Sequence, residues 1–287
     1  AIAGVTAVSG ALSTLGAFSV KSGMSFDTAM SQVAATMGTT VDQIQLLSDK
    51  AKEMGAKTAF SATEAAQALN YLALAGYDAK TSANVLPSVL NLAAAGGMDL
   101  AYASDLATDA MSALGIAASQ QNLTQFGDQM AKTASKSNTS VAQLGEAILT
   151  VGGTATMLKG KTVELNTALG VLANRGIKGA EGGTHLRNII LSLTAPTDTA
   201  AEAIKKLGVS VTDSSGNLRP LNEILADFNK KTAGMSDTAK ANYLSQIFNK
   251  TDLAAVQGLL AGCGQELSDL EKEVSNCNGA MSDMAAV

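Results

Sequence analysis

The sequence predicts a mainly α protein: a multi-helix array with one small β-hairpin at about 209–219 and a C-terminal heptad helix. Three observations point there. Only 3 of 287 residues are Pro, while Ala, Leu, Gln, Lys and Met are abundant, which favours helix almost throughout. Apolar residues recur at spacings of 3 and 4 between cap and glycine signals. Hydrophobic residues make up 46% and aromatics only 3%, so small-residue helices can approach closely while burying little area each. Such a monomer is expected to gain stability by assembling.

Residues 1–22 form the first expected segment, a small-residue apolar helix. Twenty uncharged residues precede Lys21, the lower limit of a membrane span. Several of them are Ser, Thr or Gly, however, and Val5, Val8, Leu12 and Leu15 repeat at helical spacing, so a packed helix competes with a membrane helix. No basic n-region of a signal peptide is present. The missing initiator Met and the abrupt end at Val287 suggest a piece of something longer.

Residues 23–250 are expected to form the helical core. Val41, Ile44, Leu47, Ala51 and Met54 make one stripe, ending near Gly55. Ser61 and Glu64 form a capping box for a helix that stops at Gly76. Thr81 can cap the next, where Pro87 should kink the helix or mark a restart. Helices follow over about 100–114, 121–135 and 140–158. Leu165, Leu169 and Leu172 line another, from Val163 to Asn174, with Asn174 and Gly176 suited to a left-handed turn after it. Leu186, Ile189, Ile190 and Leu193 form one face before Pro196. Val209 to Val211, then Asp213 to Asn217, then Leu218 to Pro220, read as a hairpin received by the face of Leu221, Ile224, Leu225 and Phe228.

Residues 251–287 are expected to be a heptad helix leading into a rod or bundle. Leu253, Val256, Leu260, Cys263, Leu267, Leu270, Val274, Cys277, Met281 and Met284 are spaced 3 and 4 without a slip. Gly258, Gly262, Gly264 and Gly279 weaken it. Glu266, Glu271 and Glu273 flank the seam, and facing acids would repel in a homomeric bundle.

No catalytic, cofactor-binding or metal-binding residue is assigned, and the chain is not expected to be an enzyme. His185 is the single histidine, with Glu181 and Thr184 near it, but two neighbours do not make a triad. Gly96-Gly97, Gly152-Gly153 and Gly182-Gly183 fit no phosphate loop, and Gly160-Lys161-Thr162 has Ala155 where a P-loop needs its first glycine; helix capping by Thr162 explains it better. Cys263 and Cys277 suit reduced, buried apolar positions of the seam, about 21 Å apart on a straight helix, although in a parallel oligomer each would face its own copy. Met98, Met111, Met130 and Met157 are core filler. The net charge of −5 and the lack of a basic stripe argue against specific nucleic-acid binding.

One region carries lineage. Leu172-Ala-Asn174-Arg175-Gly176-Ile177-Lys178-Gly179, then Gly183-Thr184-His185-Leu186-Arg187, Leu193 and Pro196, resembles the core region of phage tail tape measure proteins. Lys57-Thr-Ala-Phe60-Ser61-Ala-Thr-Glu64, Leu72-Ala-Leu-Ala-Gly76, Leu86-Pro87 and Gln246-Ile247-Phe248 occur in the family's order, and the likeness spans about 26–260. Glu181-Gly182 and Asn249 depart from the pattern, and the family has a small residue at 185.

The resemblance implies a structural assembly component of a long-tailed phage, prophage or phage-tail-like bacteriocin. It would set tail length, occupy the tube lumen or tail tip, and leave during genome ejection. Its implied partners are further copies of itself, as a trimer, and tail tube and tail-tip or baseplate proteins, with transient host membrane contact. Its implied place is the virion tail, after assembly in the bacterial cytoplasm. The alternative is a membrane-active or pore-forming module, resting on residues 1–20 and the Ala/Gly-rich helices.

Overall fold

The structure, a computed structural model, describes residues 23–286; the apolar segment expected over 1–22 lies outside them. Among the described residues there are fifteen α-helices and no strand. The chain divides into two compact units, one holding residues up to 93 together with 99–108, the other 94–98 and everything from 109 onward.

The first unit contains α1 (23–36), α2 (Gln45–Lys57), α3 (Ala62–Leu74) and most of α4 (Ala79–Gly96). The Ser61–Glu64 capping box is present, with Glu64 Oε2 accepting from Ser61 N at 2.7 Å and Ser61 Oγ from Glu64 N at 3.2 Å. Gly55 does not end α2, which continues to Lys57. A Cβ at Gly55 would sit 2.5 Å from Ala62 N, so this glycine lets α2 and α3 close tightly. The cap of α4 is Asp78, whose carboxylate accepts from Thr81 N at 2.7 Å, and not Thr81. Pro87 lies inside one 18-residue helix and marks no restart. α5 (Leu100–Ala113) is shared between the units.

The second unit is built around α8 (Lys161–Asn174), buried at every position from Glu164 to Ala173. Its neighbours are α6 (Gln120–Lys136), α7 (Val141–Val151), α9 (Gly179–Thr194), α13 (Leu253–Gly262) and α14 (Gln265–Ser275). The helix expected over 140–158 breaks at Val151; Gly152, at φ +57°, begins a 3-10 stretch. α10 (Asp198–Leu207), α11 (Leu221–Thr232) and α12 (Asp237–Ile247) complete the unit before α13. Ser119, Ser140, Thr197 and Ser236 each accept an amide at a helix start, which fixes where those helices begin. Phe228 of α11 meets Phe248 edge to face, centroids 5.9 Å apart.

Two expected elements take another form. Over 209–219 the chain reverses through Asp213 and Gly216, but only one antiparallel bridge forms, Thr212 with Leu218. Asp213 N donates to Asn217 O at 2.8 Å and Arg219 N to Val211 O at 3.0 Å on either side of it, and the Asp213 carboxylate accepts from Ser215 N and Asn217 N, each at 3.0 Å, so the reversal is held by its turn and one bridge without extending into strands. The heptad helix is three helices, α13, α14 and α15 (Ala280–Ala285), because Gly264 and Gly279 adopt φ of +88° and +82°. Seam residues pack within the unit, α14 against α6 and α8 and α15 against α6.

Candidate functional site

The region that carries the family resemblance has a defined mechanical role in the second unit. Gly176, at φ +83°, reverses the chain after α8, and Ile177 N reaches back to Leu172 O at 3.1 Å, a Schellman closure. α9 then crosses α7 at its glycines. A Cβ on Gly183 would collide with the backbone carbonyl of Ala147 and lie 2.8 Å from Thr150 Cβ, and one on Gly182 would meet Ile177 O at 3.0 Å. Gly183 is therefore the helix-crossing contact, while Gly182, beside it near the start of α9, leaves room for the Ile177 carbonyl of the preceding turn. Arg187 donates to Thr150 O at 3.4 Å across the same crossing.

Asn174 and Arg175 join this turn to α14. Asn174 accepts from Asn138 N at 2.8 Å and donates to Glu266 Oε1 at 2.9 Å, while Arg175 Nη2 lies 2.6 Å from Glu266 Oε2. Partial burial pushes Glu266 up, but hydrogen bonds from Asn174 and Arg175 outweigh it and hold the carboxyl below its ordinary value. Glu273 pairs with Lys136 at 3.2 Å. Two of the three acids expected to repel one another across a bundle are thus neutralised within the chain.

His185 sits on α9 with Nδ1 2.7 Å from Asp252 Oδ1, and Asn188 donates to the same oxygen at 3.2 Å. Asp252 is 1% exposed and its second oxygen has no partner. Glu181 is 3.8 Å from His185 Nε2. An acid orienting an imidazole is half of a general-base arrangement, but among the described residues no hydroxyl or thiol is paired with Nε2. The pair ties α9 to the 250–252 turn ahead of α13. Thr184 turns away, donating to Ala180 O at 2.8 Å.

At Gly160-Lys161-Thr162 the helix starts at Lys161, and Gly160 caps it without a side-chain bond. Thr162 is therefore not the cap. Glu164 takes that role: one carboxylate oxygen accepts from Gly160 N at 2.8 Å and the other from Leu221 N at the start of α11. Burial pushes its carboxyl above the ordinary value, against the pull of those two amides. Asp128, buried on α6, accepts from Gly279 N at 2.9 Å and Met281 N at 2.8 Å, satisfying the open amides of α15.

Both cysteines are free. Cys263 is half-buried, with Asn229 Nδ2 2.8 Å from its sulfur; Cys277 is buried, and burial together with the Asp128 charge pushes its thiol up. Met111 and Met130 are core residues, while Met157 is exposed and Met98 folds over Gly96. Among the described residues no three His, Cys, Asp or Glu side chains converge as a metal site, and no helix is long and apolar enough to cross a membrane.

Sequence reasoning missed the three buried acids. Asp128 and Glu164 had a faint signal, since each is a lone charge on an otherwise buried helical stripe. Asp252 had none, because its partner His185 is 67 residues away.

Residues 48–249 match the sequence model of the phage-related minor tail proteins. The chain belongs to the phage tail tape measure family. It is 32% identical over 280 residues to the tape measure protein of Pneumococcus phage Dp-1, covering 98% of this chain and 24% of that protein. It is 30% identical over 245 residues to the probable tape measure protein of Escherichia phage P2, covering 83% and 29%. The chain thus spans about a quarter of the length of these relatives. No solved structure matches it.

Proposed function

We propose that this chain is a folded structural segment of a tape measure protein in a phage or phage-like tail. The observation that carries the reading is the match of nearly the whole chain to two tape measure proteins of which it spans only about a quarter. A segment of this kind contributes two compact helical units to a longer polypeptide that sets tail length. In this reading it resides in the tube lumen or at the tail tip, contacts tube and tip or baseplate proteins, and leaves ahead of the genome. The use of motif residues supports a structural part: Gly176, Gly182 and Gly183 are used for turning and crossing helices, and Asn174 and Arg175 for joining them. Self-association as a trimer around the tube axis belongs to the same proposal, and it requires release of seam residues now buried inside the second unit.

An in-frame deletion of residues 48–249 from the encoding phage tests the role. Absent or misassembled tails by electron microscopy, with loss of infectivity restored by the intact gene, are expected. Tails of unchanged length and full infectivity would overturn it. A membrane-active role gains no support from the described helices, and liposome leakage by the purified chain would reopen it.

A further inference from the structure

Two helix ends of the same polarity meet in the second unit. α10 closes at Gly208, in a left-handed conformation at φ +67°, with Lys205 and Lys206 in its last turn. α11 closes after Thr232, with Lys230 and Lys231 in its last turn. Lys231 Nζ lies 3.4 Å from where a Cβ on Gly208 would stand, so the second pair of lysines reaches over the end of the first helix. All four are exposed. Among the described residues only Lys206 has an acidic partner, Glu202 at 3.0 Å.

Helix polarity explains part of this charge and leaves the rest. A helix C-terminus carries about half a negative charge, felt within its last turn. Two such ends, together with Glu202, leave a surplus of about two positive charges on the four lysines. Other α-helices that end on a lysine are balanced locally. α2, α6 and α14 carry one each, Lys57, Lys136 and Lys272, and each is paired with an acid, Glu53, Glu273 or Asp269. In a chain of net charge −5, the shared end of α10 and α11 is a positive surface that the described residues do not neutralise.

We propose that Lys205, Lys206, Lys230 and Lys231 form a docking surface for a carboxylate-rich patch on a partner protein. The acidity of the chain as a whole selects a compact partner. Duplex DNA carries a charge about every 1.7 Å and an anionic bilayer is a continuous sheet, so either would run past four lysines onto acidic ground. Among the described residues, no large hydrophobic side chain is exposed on α10 or α11 to enter a bilayer. A protein presents its carboxylates as a patch that can match this one in extent. Lysine is a hydrated point charge on a flexible stem, so such contacts form fast and loosen with salt. That suits a component that seats during assembly and later leaves, and the inference rests on that reading of the chain.

The test uses the 287-residue chain and a labelled hexaglutamate peptide at low salt, read by fluorescence anisotropy. The wild type should bind the peptide, with affinity falling as salt rises; failure to bind overturns the proposal. Lys205→Gln, Lys206→Gln, Lys230→Gln and Lys231→Gln together should weaken binding about tenfold or more, with circular dichroism unchanged. Lys57→Gln with Lys136→Gln and Lys272→Gln should bind as the wild type does. If the four substitutions together disturb the fold, the α10 pair and the α11 pair are replaced separately, and each should lose part of the affinity. A pair without effect overturns the shared surface, and unchanged affinity in the fourfold variant overturns the site. Tighter binding to a short DNA duplex or to phosphatidylglycerol vesicles, lost in the same variant, overturns the protein partner. In the encoding phage the four substitutions should lower infectivity. Full infectivity would remove the docking role and leave the structural role standing, which the 48–249 deletion tests separately.

Discussion

Two glycine-floored contacts in the second unit look alike in sequence and differ in what the glycine faces. At the α7–α9 crossing, Gly183 lies against the Ala147 backbone carbonyl; at the α8–α14 contact, Gly170 lies against the side chains of Leu270, Ser137 and Thr133. Backbone inside a helix cannot move without breaking its ladder, whereas side chains can change rotamer. The first contact is therefore fixed and the second adjustable. The fixed one joins α7 to α9, and the adjustable one holds α14 on α6 and α8.

Gly183→Ala should have the largest effect. Its methyl group must displace the Ala147 carbonyl, so α7 and α9 separate along their crossing. Overpacking against backbone costs about 3 kcal/mol or more, against about 1 kcal/mol regained from helix propensity. Chemical denaturation should show a lowered midpoint, and hydrogen exchange should rise first in α7 and α9. A loss under about 0.5 kcal/mol, within the range of an ordinary surface substitution, would mean that the crossing is not fixed.

His185→Ala comes next, because it leaves the Asp252 carboxylate buried with Asn188 as its remaining partner. Removing one member of a buried pair strands a charge, and about 2–3 kcal/mol is expected here. His185→Ala with Asp252→Asn should recover part of the loss. Failure of that double substitution to recover any stability would show that packing, not the stranded carboxylate, sets the cost.

Glu164→Gln tests the buried carboxylate that joins α8 to α11. The two amides are accepted by different oxygens, so the glutamine NH2 must face one of them, at a cost of about 1–2 kcal/mol. Burial raises the folded-state pKa above the ordinary 4.5. The folded protein then holds its proton more tightly than the unfolded chain, so this residue's contribution is full below 4.5 and declines as pH rises through the raised value. The gap between wild type and variant should narrow over that window. A gap independent of pH would remove Glu164 as the titrating group.

The helical class, the Ser61–Glu64 cap and the stripes of α8 and α9 were legible because each is written in local spacing. The glycine-rich motif was legible as lineage but not as geometry: the residue facing Gly183 is on another helix. The same limit hid Asp252 behind His185. It also made 251–287 read as one rod, since periodicity records which residues are buried and not what buries them. Gly264 and Gly279 were seen as weak points, but the side chains that accept their amides at the turns, Asn222 and Asp128, are distant in sequence.

Gly170→Ala should have the smallest effect and separates the two contacts most cleanly. The added methyl meets Leu270 Cδ2, Ser137 Oγ and Thr133 Cγ2, all side-chain atoms at 2.7–2.9 Å. Shifting them costs about 1–2 kcal/mol, and the helix-propensity gain of about 1 kcal/mol offsets much of it. Net stability should stay within about 1 kcal/mol of wild type. What should change is local: exchange in α14 should rise while α7 and α9 keep their protection, because only the adjustable contact has been wedged. If Gly170→Ala and Gly183→Ala destabilise equally and loosen the same helices, the two contacts are one rigid core. Residues 265–275 would then be held as firmly as the crossing.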